Sequence, residues 1–502
     1  MIIKKDKDVI KNYFEDNSGI VGAYADFVAI AENENDVCEF LSEMSKSSIP
    51  VTIVGKLTGN TASGLAFGGS ILSLEGLNKI SEIEKIEKEN IQTENAYISV
   101  QVGARVDDIK LKVAKEGWMY PPDPTEKNAS IGGNISTNAS GARGFKFGAT
   151  RNYVQALKVV FSDGSYSFIE RGKYFADENG SITFDTNQGK RYITLPRYHL
   201  PKIKNAAGYH NYPGADLIDI FIGSEGTICV ILEAVLKLIP HFKSIFGGII
   251  FFQDRKDAYE FVDKVKNLSK DTQKRKLKNS ISAMSLEYFD KNALLLMEND
   301  YPVIPKNVEV GIMFEQDVYE NNRDILTEKW IEVIEDSDIN LENVWAASNV
   351  AELEQFRIFR HKIPERVNEM IKKNKIPKLG TDFAVPEGKL LEIIDYCDKK
   401  FKAIDVFNLT FGHIGENHLH ANILAANIEE YNKCKQIYVD IVEKVVEIGG
   451  TVSAEHGIGK ARHIFLEKMF GEEGFQEMAK FKKSFDKSCI LGQDNIFPKK
   501  YL

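Results

Sequence analysis

The chain predicts an α+β protein of more than one domain, and three observations carry that reading. Its 502 residues exceed what one ordinary core holds. The first half alternates short helical and strand patterns. After "AVLKLIP" (residues 234–240) glycine thins out and charged helical stretches such as "KNLSKDTQKRKLKNS" intervene, which puts a domain boundary near residue 240.

In chain order, "NENDVCEFLSEM" places Val37, Phe40, Leu41 and Met44 on one helical stripe, and "IPVTIVG" follows as a buried strand. "AYISVQVG" is a second strand. "ARVDDIKLKVAKEGW" sets Val106, Ile109 and Val113 on one helix face, with Gly117 placed to end the helix. "VQALKVVFSDGSYSFIE" predicts a hairpin turning at Asp163-Gly164. "NIEEYNKCKQIYVDIVEKVVEIGG" predicts a helix capped by Asn427, with Glu430 in the capping-box position and Gly449-Gly450 at its end.

Composition excludes several classes. Hydrophobic residues make up 43% and charged residues 27%, a globular profile. A formal net charge of −9 argues against nucleic acid as the main partner. The five cysteines are scattered, with no CxxC pair, so free thiols in a reducing compartment are expected rather than a disulfide framework or an iron–sulfur centre. "MIIKKDKDVIKNYFEDN" has no signal-peptide hydrophobic core, and no apolar run reaches the roughly 18 residues that span a bilayer. A cytoplasmic location is expected.

Two long loops are built from small residues. "VGKLTGNTASG" follows a strand, and "PPDPTEKNASIGGNISTNASGARGFKFGAT" carries Gly132, Gly133, Gly141, Gly144 and Gly148 with Asn134 and Asn138 among them. Such loops let successive backbone N–H groups face an anion. Neither a G-x-G-x-x-G fingerprint nor a G-x-x-x-x-G-K-[ST] phosphate loop is present. Together with "IGSEGTICV", the loops suggest a large diphosphate-bearing ligand held mainly by main chain; tight turns are the alternative for any one of them.

A second group of motifs holds imidazoles. "FGHIGENHLHANI" contains three of the nine histidines, and "TVSAEHGIGK" sets Glu455 beside His456. Strand alternation puts His418, His420 and Asn422 on one face, and His413 precedes a turn at Gly415. Imidazoles joined by a carboxylate suit a borderline divalent metal. On spacing alone, a metal site and a satisfied structural pair of histidines both stand.

The order of "GKLTGN", "PPDPTEKNASIGGNISTNASGA", "FGATRNYV" and "DLIDIFIGSEGT" resembles the FAD-binding domain of the vanillyl-alcohol-oxidase / p-cresol-methylhydroxylase flavoproteins. The branch it looks most like is that of D-lactate dehydrogenase, glycolate oxidase and D-2-hydroxyglutarate dehydrogenase. The resemblance runs over about residues 20–497. It implies an FAD-binding domain of two subdomains (1–240), an antiparallel-sheet-and-helix substrate or cap domain (241–460) and a C-terminal helical segment (461–502) packing back on the first. FAD would lie on Gly55, Thr58, Gly59 and Asn60, with further contacts from Pro122, Asp123, Ser130, Gly132, Gly133, Asn138, Ser140, Gly141, Gly226 and Thr227. Neither loop has a His or Cys where relatives couple the flavin, so the cofactor is expected to be non-covalent.

In the same branch the pattern resembles H-I-G-D-G-N-L-H followed by S-G-E-H-G-I-G. Carried over by position, His413, His420 and Glu455 are ligands of a divalent metal (Zn, Fe or Mn), His456 is the catalytic base and Asn422 contacts substrate. His418 stands where the pattern has asparagine, takes no role from it, and is read as pocket-lining or structural. "FRIFRHKIPERVN" resembles the segment that supplies a carboxylate-binding arginine, at Arg360. The chain departs from the family at Lys56 and Leu57, where glycines are usual, and at Cys229, also a usual glycine. Pro364 stands for a threonine and Gly380 for a lysine.

The activity implied is FAD-dependent oxidation of a D-2-hydroxy acid to the 2-oxo acid. The expected partners are that small acid, an electron-transferring flavoprotein or other redox carrier, and a second copy of the chain in a homodimer. Two other readings stand beside it: an alkyl-dihydroxyacetone-phosphate-synthase-like FAD enzyme, through "EHGIGKAR", and a flavin-binding subunit without turnover.

Overall fold

The computed structural model describes residues 1–88, 91–347, 349–404 and 406–502. The chain forms two compact units. One comprises Met1–Ser140, Ala149–Pro240 and Ser453–Leu502, and the other Gly141–Gly148 and His241–Val452.

The first unit holds two main sheets. One has the strand order Ile2–Lys4, Phe27–Ile30, Ser70–Ser73, Val51–Val54; its first pair is antiparallel and the other pairs are parallel. The helix Glu34–Ser47 connects two of these strands and buries Val37, Phe40, Leu41 and Met44, the stripe its spacing predicts. Its start is fixed by Asn33, whose side chain accepts from Asp36 N–H. The second sheet is antiparallel, in the order Ile80–Lys88, Ile91–Gln101, Val230–Pro240, Val154–Val160, Tyr166–Glu170. The hairpin turn falls at Asp163-Gly164, where Gly164 takes φ +81°. Helix Val106–Ala114 buries Val106, Ile109 and Val113, and Gly117 follows in the left-handed region at φ +80°.

The second unit is built on one antiparallel sheet. Its order is Val344–Ala346, Ser244–Phe252, Val310–Val318, Ala283–Asp290, Asn408–Gly412, His418–Ile423, Leu379–Gly380, with Phe383–Ala384 also paired to His418–Ile423. Alternation along Ser244–Phe252 sends Ile250 and Phe252 to one core cluster and Ile249 and Phe251 to another, so both faces are covered. Helices Arg255–Arg275, Arg323–Glu335, Leu390–Lys402 and Ile428–Glu447 pack on the first face through Phe261, Trp330, Ile393 and Ile441. Helix Val350–Asn374 packs on the second through Phe356, Phe359 and Ile363.

Asn427 caps Ile428–Glu447 by accepting from Glu430 N–H at 3.0 Å. The Glu430 carboxylate reaches one residue further back than a capping box requires, accepting from Ala426 N–H at 2.8 Å and from the Asn427 side-chain amide. The mixed helix-and-sheet content matches the α+β expectation. Among the described residues no helix is long and apolar enough to cross a membrane.

Candidate active site

In the first unit the glycine loops meet. A Cβ at Gly55 would lie 2.2 Å from Ser130 Oγ, and one at Gly132 would lie 2.7 Å from Val102 Cβ, so both positions require the missing side chain. Ser130 caps the short helix Ile131–Thr137 by accepting from Gly133 N–H at 3.3 Å. Gly59 is open, with only Ser63 Oγ at 3.7 Å from its Cβ position. Asn134 is buried, and its Nδ2 has no acceptor among the described residues, a donor placed for a bound group. Leu57 holds φ +53°, a conformation glycine adopts without penalty, and packs against the apolar cluster that includes Val54 and Ala66.

Several expected flavin contacts are already committed to protein partners. Asp123 pairs with Lys110 at 2.6 Å, and its N–H donates to Ser140 C=O. Asn138 Oδ1 accepts from Arg151 N–H at 3.0 Å. Thr227 is fully buried, its hydroxyl donating to Ser224 C=O and lying 2.7 Å from Tyr209 Oη. Gly226 (φ +67°) packs its backbone on Ile53. Thr58, Gly59 and Asn60 stay together in the loop after Val51–Val54, and Pro122 adjoins Asp123. Gly141 opens the segment assigned to the second unit. Cys229 is buried, which pushes its thiol pKa up.

The "EHGIGK" loop lies in the same unit. Glu455 Oε2 accepts from Ser140 Oγ and from Lys204 Nζ, each at 3.1 Å, and its Oε1 is 3.8 Å from His456 Nε2. Lys204 is a neighbour that sequence reading missed, because it lies 251 residues away in a loop without a motif.

The loop is held by Glu225 of "GSEGT". Its two carboxylate oxygens accept from Ile458 N–H at 2.8 Å and Gly459 N–H at 2.7 Å. Burial raises the Glu225 pKa, those two donors and the nearby Lys460 and Arg462 charges oppose it, and the outcome is about 7. An acid raised from 4.5 to about 7 costs stability once it ionises. Stability is therefore intact below pH 4.5 and falls as pH rises to 7, by about 3 kcal/mol. Thermal unfolding of the wild type should show this fall, and Glu225→Gln should remove its share of the slope while lowering stability at pH 5. Parallel wild-type and variant profiles would contradict the assignment.

The second unit carries the histidines. One nitrogen from each of His413, His418 and His420 lies within 4.8 Å of the others, and their ring centroids are 4.6–6.0 Å apart. Register explains the gathering: His420 sits opposite Phe411 and His418 opposite Ala384, so the alternate residues of His418–Ile423 share a face. Between the short strands Leu379–Gly380 and Phe383–Ala384, Thr381 and Asp382 reach that face. Thr381 C=O lies 3.2 Å from His420 Nδ1, and Asp382 Oδ1 lies 2.9 Å from His418 Nε2.

Glu287 joins two of the expected residues. Its Oε1 is 2.6 Å from His413 Nδ1, and its Oε2 accepts from Arg360 Nε at 2.9 Å. Burial alone would raise its pKa; the charges of and hydrogen bonds from His413 and Arg360 override that and bring it to about 2. Arg360 projects from helix Val350–Asn374, which contains Pro364; lacking an N–H, Pro364 cannot bond the Arg360 carbonyl one turn back.

Asn422 is buried and donates to His420 C=O at 2.9 Å, while its Oδ1 has no donor among the described residues. A Cβ at Gly380 would lie 2.9 Å from that Oδ1 and 3.4 Å from the Lys378 stem, so glycine leaves Asn422 its place. The segment Gly141–Gly148 backs the histidine loop: a Cβ at Gly144 would meet Glu416 at 2.3 Å, and one at Gly415 would meet Phe145 at 2.8 Å.

Comparison with known proteins gives this geometry a family. Residues 25–168 match the family model described as FAD binding domain, and residues 254–495 match FAD linked oxidases, C-terminal domain. The D-lactate dehydrogenase of Anaerostipes hadrus is 27% identical over 97% of this chain and 93% of its own. Glycolate oxidase subunit GlcD of Bacillus subtilis (strain 168) is 28% identical over 94% of this chain and 89% of its own. D-2-hydroxyglutarate dehydrogenase of Stutzerimonas stutzeri (strain A1501) is 26% identical, covering 88% and 84%. Among solved structures, an alkyldihydroxyacetonephosphate synthase superposes with a TM-score of 0.65 at 13% identity, covering 98% of this chain and 82% of that one, which shows a shared fold. The chain carries both modules in the expected order and belongs to the FAD-linked oxidases with a p-cresol-methylhydroxylase-type FAD-binding domain.

Proposed function

We propose that the protein oxidises a D-2-hydroxy acid to the 2-oxo acid with non-covalently bound FAD and a divalent metal. The observation that carries this reading is the buried Glu287 carboxylate joining His413 to Arg360, with His420 gathered beside His413, in a chain of this family. Curated relatives named for lactate, glycolate and 2-hydroxyglutarate support the substrate class and favour it over the synthase-like reading.

The donor set fits both groups. Clustered imidazoles, with Glu455 added in this reading, suit a borderline divalent ion, and the open glycine at Gly59 with the buried Asn134 amide suits a diphosphate-bearing cofactor. When bound, FAD supplies the two-electron acceptor and the metal supplies positive charge that acidifies an alcohol. The residues do the rest. Arg360, whose Nε donates to Glu287, pairs with the substrate carboxylate in this reading. Asn422 Oδ1, held by the Nδ2 bond to His420 C=O, accepts from the substrate. His456 takes the hydroxyl proton on its ring as the α-hydrogen departs with its electron pair.

Arg360→Lys keeps the charge and loses the fork. KM for a D-2-hydroxy monocarboxylate should rise by about 10–100-fold, equivalent to about 1.4–2.8 kcal/mol of lost charged hydrogen bonding. FAD content should not change. An unchanged KM would remove Arg360 from substrate binding.

A further inference from the structure

We propose that His418 is a third imidazole ligand of the metal, bound through Nδ1. This rests on the metal-assisted reading above and goes beyond its two-histidine ligand set.

A metal ion binds the neutral imidazole, which carries one N–H and one lone pair, and whichever nitrogen donates to an acceptor leaves the other as the ligand atom. Each ring of the cluster has one nitrogen beside a buried acceptor. For His413 it is Nδ1, 2.6 Å from the Glu287 carboxylate. For His420 it is Nδ1, 3.2 Å from Thr381 C=O. For His418 it is Nε2, 2.9 Å from Asp382 Oδ1. These contacts assign Nε2 of His413, Nε2 of His420 and Nδ1 of His418 as the lone-pair atoms.

The geometry accepts three ligands. One nitrogen per ring already lies within 4.8 Å of the others, a spacing from which small side-chain movements bring all three onto one ion at Zn–N lengths of about 2.0–2.1 Å. His418 and Asp382 are both fully buried, and Asp382 Oδ1 is also 4.0 Å from His420 Nδ1, so one carboxylate backs two neighbouring rings of a strand face. Carboxylate–histidine–metal relays have this form, and the partner carboxylate raises the basicity of the ring it holds. A ring kept only for packing does not need a buried carboxylate on its far nitrogen; an aliphatic side chain would fill the space without burying a charge.

Three imidazoles shift the ion preferred. A set richer in nitrogen favours zinc, cobalt or ferrous iron over manganese, which prefers oxygen.

X-ray absorption on the full-length flavoprotein, stripped with chelator and reloaded with one equivalent of Zn²⁺, counts imidazoles by their outer-shell scattering. Three are expected; two would overturn the proposal. Co²⁺ titration followed by ligand-field absorption gives the second readout. His418→Asn should weaken Co²⁺ binding at least about 100-fold and shift the bands, and Asp382→Asn should weaken it about 10-fold. A His418→Asn protein with wild-type affinity and spectrum would make His418 a structural partner of Asp382 and overturn the proposal. His413→Ala and His420→Ala separate the two levels. If they abolish binding while His418→Asn does not, only the third ligand fails. If they too leave binding unchanged, the metal reading beneath it fails as well.

Discussion

His456→Ala should retain FAD and lose about 10²–10⁴-fold in the rate at which a D-2-hydroxy acid reduces the flavin, the usual contribution of a positioned base. The loop that holds His456 is constrained independently of its side chain. Glu225 accepts from the two N–H groups at 458 and 459, Ser453 Oγ donates to Gly457 C=O at 2.7 Å, and Gly459 (φ +52°) lies against the Thr61 carbonyl. Removing the imidazole should leave that frame standing, so FAD content and thermal stability stay near wild type while reduction fails. Stopped-flow reduction under anaerobic conditions reads the effect. A variant that reduces its flavin at the normal rate would show that another group takes the proton.

Glu287→Ala should have the second-largest effect and should act on stability, metal and substrate together. The carboxylate is buried between His413 Nδ1 and Arg360 Nε, and deleting it leaves a guanidinium and an imidazole without the charge they face. Breaking a buried pair from one side costs about 3–5 kcal/mol. In the proposed ligand set, loss of the contact on the far nitrogen of His413 should weaken metal binding about 10–100-fold. The low Glu287 pKa sets the pH sense. A carboxyl lowered from 4.5 to about 2 stabilises the fold above pH 4.5, and that stability is lost as pH falls from 4.5 to 2. The wild type should therefore show an acid-side loss that the alanine variant lacks. Calorimetric unfolding from pH 2 to 7, with metal content measured beside it, checks both parts; equal acid profiles would contradict the bridging role.

The sequence carried most of the architecture because its signals are local. The stripe at Val37, Phe40, Leu41 and Met44, the turn at Asp163-Gly164 and the cap at Asn427 each depend on residues within a few positions. The shared face of His418, His420 and Asn422 follows from strand alternation alone.

What stayed hidden depends on long-range pairing. Glu287 reaches His413 across 126 residues, Lys204 reaches Glu455 across 251, and nothing in one sequence marks those pairs. The need to pair Glu287 shows only once its strand is placed in the sheet. Every residue of Ala283–Asp290 is buried, and a glutamate in a strand with no exposed face has to be paired. The placement of Gly141–Gly148 with the second unit was also illegible, since the glycines that suggest a ligand loop equally allow the close contacts with Glu416 and Phe145.

The most direct measurement is anaerobic bleaching of the bound flavin by matched D- and L-2-hydroxy acids, before and after chelation. The D-acid alone should bleach it without a second substrate, chelator should abolish the reaction, and one equivalent of divalent metal should restore it. Bleaching that survives complete metal removal, or no bleaching by any 2-hydroxy acid, would contradict the account.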